Sequence, residues 1–406
     1  MKSRLALVLV MALVALFLLS GCGADDDEDV VSFALWTQEG EAEGAYQYVR
    51  SLAERYMEAT PTVRITTVQK DTEELREDFQ TASIAGSPPE LMWTVNDHAG
   101  PFTAAGIIQP IGDLYDADEF IDGVVMDGET WGIPVSSGNH LMLVYNRALI
   151  GDTAPSNTDE MIEVAKQHTG DGRYGFAYNM TEPFWLVPWL GGFGGSVFEE
   201  DGVSPSLDTE AMHRTLAFLH SLTHEHRVTP LEADYGTMDT LFKEGSAAMI
   251  VNGDWSIGEY QQILGEDVGV APIPMVRETG LWPAPYTSGK YFMVADGVQG
   301  ELRSAIGDFI NWVLEEERQL EMSETLVRLP ARLSALENEQ ITGDRLLAGS
   351  AAAMANGTPM PAASEMRANW DAMLPEMNAV LAGSRSPADA AQRMQSTSLS
   401  AIAAMQ

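Results

Sequence analysis

Eight aromatic residues stand where the chain turns. Trp36, Trp93, Phe184, Trp185, Trp189, Trp255, Tyr286 and Trp370 fall at strand ends, in turns, or beside Gly and Pro. Asp97, Asn179, Glu182, Asn252 and Asp254 sit among them, with Glu39 close after Trp36. A flat ring offers an apolar face to the C–H side of a sugar, and carboxylates and amides accept its hydroxyls. Aromatic and acidic residues clustered in several separate loops therefore point to a polar, uncharged ligand. Carboxylates used in this way are acceptors and need no shifted pKa. Trp131 and Trp312 read as core or hinge residues. The sequence has no P-loop, no His-x-x-x-His pair and no nucleophile elbow, and its seven His are scattered, so neither a metal centre nor a cofactor is expected.

The elements that must hold these residues alternate strand and helix. Val30 to Trp36 is β-rich, and Ala45, Val49, Leu52, Ala53, Tyr56 and Met57 follow at helical spacing. Val63 to Val68 reads as a second strand after Pro61, Leu75, Phe79 and Ala82 mark a helix, and Leu91 to Thr94 is a third strand. This β-α-β-α-β order implies an α/β sheet covered by helices, with ligands gathering at the carboxyl ends of its strands. A second α/β region begins after the strand Leu141 to Asn146. It has a helix from Thr158 to His168, with Ser156 and Asp159 at capping-box spacing, and a strand from Tyr174 to Asn179. A Gly-rich corner at Gly191 to Gly195 and a long helix capped by Asp208 come next, then the strand Ala247 to Val251. Tyr291 to Ala295 and Arg303 to Glu317 form a further strand and helix before two Ala- and Met-rich helices. No repeat of fixed period appears.

The chain's start is an address. Met1 to Arg4 is a short basic stretch, and Leu5 to Leu19 is an unbroken apolar run. It is shorter than the roughly 20 residues of a membrane span and suits a signal-peptide core. It ends at Leu19-Ser20-Gly21-Cys22, which holds the single Cys. This resembles a bacterial lipoprotein signal over residues 1–21, with Cys22 as the lipidated residue and residues 22–29 as an acidic tether. The protein is thus expected to act outside the cytoplasm, anchored by lipid. One Cys allows no internal disulfide and no Cys-based metal cluster.

At 406 residues the chain has room for two or three domains. It carries 23 Lys plus Arg against 60 Asp plus Glu, a formal charge of −37. Such a balance excludes sequence-independent nucleic-acid binding, which needs a cationic face, while 45% apolar residues exclude a disordered acidic tail. Only five cations are Lys (Lys2, Lys70, Lys166, Lys243 and Lys290). Self-repulsion of this size is screened above about 1 M salt, so a halophilic, concentrated-salt environment is expected.

From Trp36 to the C-terminus the sequence resembles the extracellular sugar-binding proteins of ABC importers, the maltose-binding family. Phe79 to Leu91 resembles the family's "F…A…G..PD" stretch, and Asp97 follows where the family has a sugar-binding Asp. Thr181-Glu182-Pro183-Phe184 is similar to its Glu-Pro-aromatic element. Phe242 to Trp255, ending in Asn252-Gly253-Asp254-Trp255, is the most specific match, and Trp370 falls where the family places a stacking Trp. The resemblance implies a two-lobe periplasmic-binding-protein fold (type II) with a ligand cleft between lobes. The first lobe would comprise residues 30–135 and 289–329 and the second 145–287 and 331–406, with hinge crossovers near Ser137, Ser288 and Pro330. It implies a carbohydrate ligand, a membrane permease as partner, no catalysis, and capture by lobe closure. Trp36, Glu39 and Asp97 would hold the ligand from the first lobe, and Glu182, Phe184, Asp254, Trp255, Tyr286 and Trp370 complete the set.

Several positions depart from that pattern. Gln38, Glu39 and Glu41 follow Trp36, His98 stands where the maltose binder has an Arg, and the crossover Pro134 to His140 is one residue longer and lacks its acid. The implied ligand is therefore a carbohydrate rather than maltose itself. A polyamine is an alternative, since Glu39, Glu41, Asp97 and Glu182 would suit a polycation. An anion is disfavoured because Lys290 is almost the only cation near the cleft loops. An extracellular glycosidase would need two carboxylates, and Asp97 and Glu182 could be cast so, although the resemblance sets them on opposing lobes.

Overall fold

Alternation of side chains along each strand decides which residues face a core. In β1 (Val31–Thr37), Phe33, Leu35 and Thr37 are buried, while Ala34 and Trp36 on the other face are half-buried. The computed structural model describes residues 30–41 and 44–405. The expected signal peptide, Cys22 and the acidic tether lie outside the described residues.

β1 pairs in parallel with β2 (Val63–Gln69) and β3 (Leu91–Thr94). The connecting helices are α1 (Ala45–Ala59) and α2 (Thr72–Ile84). Ala45, Tyr48, Val49, Leu52, Ala53 and Tyr56 form the buried stripe of α1 at helical spacing. The long strand β4 (Glu129–Gly138) belongs to the same sheet, and the chain then leaves it through Asn139 and His140.

The second sheet is built from β5 (Leu141–Asn146), β6 (Tyr174–Tyr178), β7 (Ala247–Gly253) and β8 (Val268–Ala271), in the order β6-β7-β5-β8. β6 and β7 run parallel, whereas β5 is antiparallel to both β7 and β8. Leu141, Leu143 and Tyr145 join one core, and Met142 and Val144 join another on the opposite face. Burial on both faces is why β5 reads as a continuous apolar run. α3 (Thr158–Gln167) and α4 (Glu210–His224) cover this sheet.

The chain then returns. β9 (Tyr286–Val294) lies antiparallel between β3 and β4, α5 (Gly300–Val313) packs on the first core, and β10 (Leu329–Pro330) adds beside β4. The first sheet thus has the main order β10-β4-β9-β3-β1-β2. α6 (Glu365–Leu381) and α7 (Pro387–Met405) pack on each other and on α4, closing the second core. The result is a two-lobe α/β fold, each lobe a sheet flanked by helices, with a cleft between them.

At the end of β4 three strands lie side by side: Ser137 pairs with both Gly289 and Leu329. Gly138 (φ 126°) and Asn139 (φ 44°) adopt positive φ at the first passage. Asn139 is clasped there: its N–H donates to Asp254 Oδ2 (3.1 Å), and its Oδ1 accepts from Lys290 Nζ (2.9 Å).

Three local expectations need correction. Asn157, not Ser156, caps α3, because its Oδ1 accepts from the N–H groups of both Asp159 and Glu160 (3.1 Å each). Thr209 rather than Asp208 caps α4, its Oγ1 accepting from Met212 N–H (3.2 Å). Gly191 and Gly192 belong to a short helix, Val187–Gly192, rather than a turn. A Cβ on Gly191 would stand 2.6 Å from Ala284 Cβ, so close packing explains that glycine.

Candidate functional site

The strand ends set the site. Just past β3, a short 3-10 turn, Asn96–His98, carries Asp97. β6 and β7 are parallel, so the segments after them, Asn179 to Trp185 and Asp254 to Trp255, emerge at the same edge of the second sheet. β9 is antiparallel to β3, and Tyr286 at its start extends beyond the end of β3. Trp370 comes from α6.

Four rings meet. Phe184 lies 6.3 Å from Trp255 and 6.5 Å from Trp370, centroid to centroid, and Tyr286 lies 6.3 Å from Trp370. Their mutual tilts, from 47° to 76°, leave ring faces directed along different lines. Trp185 packs behind, 6.1 Å from Trp255, and donates its indole N–H to Val251 O (2.7 Å). Trp255 donates its own indole N–H to Tyr235 Oη (3.1 Å). The ring of Trp255 lies over Gly253, where any Cβ would collide with it. Glycine in the Asn-Gly-Asp-Trp turn is thus a seat for the indole.

Acceptors face these rings. Trp370 stands near enough to the Asp97 carboxyl to oppose the rise in its pKa. Glu182 Oε1 accepts from Asn179 Nδ2 (2.8 Å), which fixes the carboxylate beside Phe184. Burial first, then the charge of Glu73, raises the pKa of Asp97 to about 6. Glu182 is raised in the same direction, chiefly by burial. These shifts differ from the expectation of ordinary carboxylates, and the cause is desolvation within the cleft. His98 is buried, its Nδ1 2.8 Å from Thr94 Oγ1, and burial pushes its pKa down to about 3. It is a neutral core imidazole and supplies no cation in place of the family's Arg.

Other expected site residues go elsewhere. Glu39 is corrected: it is 2% exposed, both carboxylate oxygens accept from Arg328 Nη1 (2.8 Å), and Oε1 also accepts from Trp93 Nε1 (2.8 Å). Arg328 and Lys290 hold its pKa below the usual carboxylate range against the opposing effect of burial. A buried carboxylate consumed by a guanidinium braces the fold rather than waiting for a ligand. Asp254 is buried, and its Oδ2 accepts from the Asn139 N–H, while its Oδ1 has no hydrogen-bond partner. Trp36 is set apart from the four rings, half-buried against the first core with Lys70 Nζ 4.9 Å from its ring centroid. Trp93 and Trp189 are wholly buried core residues. Asn252 points inward, donating to Tyr260 Oη (2.6 Å).

Sequence reasoning missed Arg367, Glu73 and Asn96. Arg367 lies three residues before Trp370, so helical spacing from the expected stacking Trp was the available signal. A surface depression of about 330 Å³ lined by His168, Asp171 and Arg173 includes none of the ring residues. Among the described residues no group of three or more His, Cys, Asp or Glu could hold a metal ion, and no helix is long and apolar enough to cross a membrane.

Fold and cleft together define a two-lobe solute receptor, and comparison with known proteins supplies the family. Residues 51–349 match the family of bacterial extracellular solute-binding proteins, and the chain belongs to it. It is accordingly a binding protein and not an enzyme, acting outside the cytoplasm. A maltotriose-binding protein of Pyrococcus abyssi is 28% identical over 337 residues, covering 80% of this chain and 72% of that protein. The maltose/maltodextrin-binding domain of Bdellovibrio bacteriovorus, solved with maltotriose, is 36% identical with a TM-score of 0.87, covering 92% of this chain and all of that one. The maltotriose-binding protein of Thermus thermophilus shares the fold at a TM-score of 0.83 and 22% identity, over 91% of this chain and all of that one.

Proposed function

We propose that this protein captures a short maltodextrin, of the size of maltotriose, in the cleft between its lobes and delivers it to the permease of an ABC importer. The observation that carries this reading is the group of four rings, Phe184, Trp255, Trp370 and Tyr286, with Asp97 and Glu182 beside them. Rings would stack on the C–H faces of glucose units, and the carboxylates would accept hydroxyl protons. The ligands of the relatives support the choice of sugar. A polycation is less well served, because Glu39 is neutralised by Arg328, and Lys290 acts on both Glu39 and Asp97.

Capture would proceed by lobe closure about passages near Ser137, Ser288 and Pro330, with lobes divided as residues 30–135 with 289–329 and 145–287 with 331–406. A ligand that touches both lobes favours the closed form by its differential affinity. Lipid attached at Cys22 would keep the receptor beside its permease. Calorimetric titration with glucose, maltose, maltotriose, maltotetraose and spermidine tests the reading. Maltotriose should bind, and Trp255→Ala should weaken it at least about 30-fold, the scale of a buried aromatic anchor. Heat from spermidine alone, or unchanged maltotriose affinity in Trp255→Ala, would overturn it.

A further inference from the structure

α6 reaches across the cleft with more than its indole. Arg367, in the first turn of α6, pairs through Nη1 with Glu73 Oε2 in the first turn of α2. α6 packs on the second lobe's core and α2 on the first lobe's, so this ion pair joins the lobes. One other contact crosses nearby: Asn96 Nδ2 donates to Met360 O (2.8 Å).

Both partners of the pair keep a second partner on their own lobe. Arg367 Nη2 is 2.9 Å from Asp371 Oδ1, one turn along α6, and Glu73 Oε2 is 3.1 Å from Arg76 Nη2 on α2. Separation of the lobes would strand neither charge. Arg367 is one-third exposed and Glu73 more than half, so water reaches the pair and screens it.

We propose that Arg367 and Glu73 are positioning residues that latch the lobes over a bound ligand and set how long it stays, without touching it. The proposal rests on the lobe-closure reading above. It makes the first turn of α6 a two-part clasp, with Trp370 at the ligand and Arg367 at the rim.

Stopped-flow release of maltotriose tests it in wild type, Glu73→Gln, Arg367→Met, the double variant and Arg367→Lys. Each neutral single variant should release about two- to fivefold faster with little change in association rate, the range of an exposed ion pair. The double variant should be no faster than the quicker single, and Arg367→Lys should stay near wild type. Raising salt from about 0.05 M to about 1 M should narrow the difference in release rate between wild type and Arg367→Met, since screening of the overall charge acts on both and screening of the pair acts on wild type alone. Small-angle scattering of the ligand-free proteins gives a second readout, with a larger radius of gyration expected for Arg367→Met. Equal release rates, or additive effects in the double variant, would overturn the latch even if maltotriose binds. Should wild type bind no maltotriose, the sugar reading fails, and the radii alone decide the latch: equal radii end it.

Discussion

Asp97 shows how a single carboxyl can report on the cleft. Its pKa near 6 belongs to the buried arrangement of the cleft, where desolvation first and the charge of Glu73 second raise it against the opposing effects of Lys290 and Trp370. An exposed Asp titrates near about 4. Between about pH 4 and 6 the closed arrangement therefore binds more protons than an open one, and lowering the pH favours closure. For folding the sign is the same: this group's contribution declines as pH rises through that window. The ligand-free protein should become more compact on going from about pH 7 to about pH 5, measured by small-angle scattering. Asp97→Asn should reduce that response, and Glu182, shifted the same way, supplies the remainder. A wild-type radius that is the same at both values would show that the carboxyl does not sense the opening. The residue types of this site could be read from the sequence because rings and acids in turns are conspicuous. The fate of Glu39 could not. Its partner Arg328 is 289 positions away, and only the folded sheet brings them together.

At the level of elements, the turn after β7 shows how backbone and ring depend on each other. Trp255 holds its place because Gly253 has no side chain in the way. Gly253→Ala would force the indole off its seat while leaving the strand free to pair. Maltotriose affinity should fall about tenfold or more, with a melting temperature within a few degrees of wild type; full affinity in this variant would mean that the indole does not need that seat. Alternating strands and amphipathic helices were legible here, since periods of two and 3.6 are local properties. The caps of α3 and α4 were each misassigned by one residue, because Ser156, Asn157, Asp208 and Thr209 are all competent side-chain acceptors and tertiary packing chooses among neighbours. Gly191 and Gly192 misled for a related reason. Gly191 answers to Ala284 and Gly192 to Val276, both packed against them, not to a bend in their own segment.

Over the whole molecule, the formal charge of −37 opposes compaction wherever the solvent does not screen it. Its cations are largely spent in local pairs such as Arg303 with Asp113 and Lys243 with Asp239 and Glu259, so the excess acid is left facing water. Melting temperature should climb as salt increases from about 0.1 M to about 3 M, followed by calorimetry or circular dichroism. A flat or falling curve would mean that the acidic surface carries no such penalty. The two-lobe plan itself was visible in the sequence only through family resemblance, since nothing local announces that β9 and β10 return to the first sheet. That return has a practical outcome. Cutting the backbone at Asn139–His140 would give two pieces, each owning strands of one shared sheet. The nicked protein should sediment as one particle, and the two fragments, expressed separately, should reassemble into a working receptor.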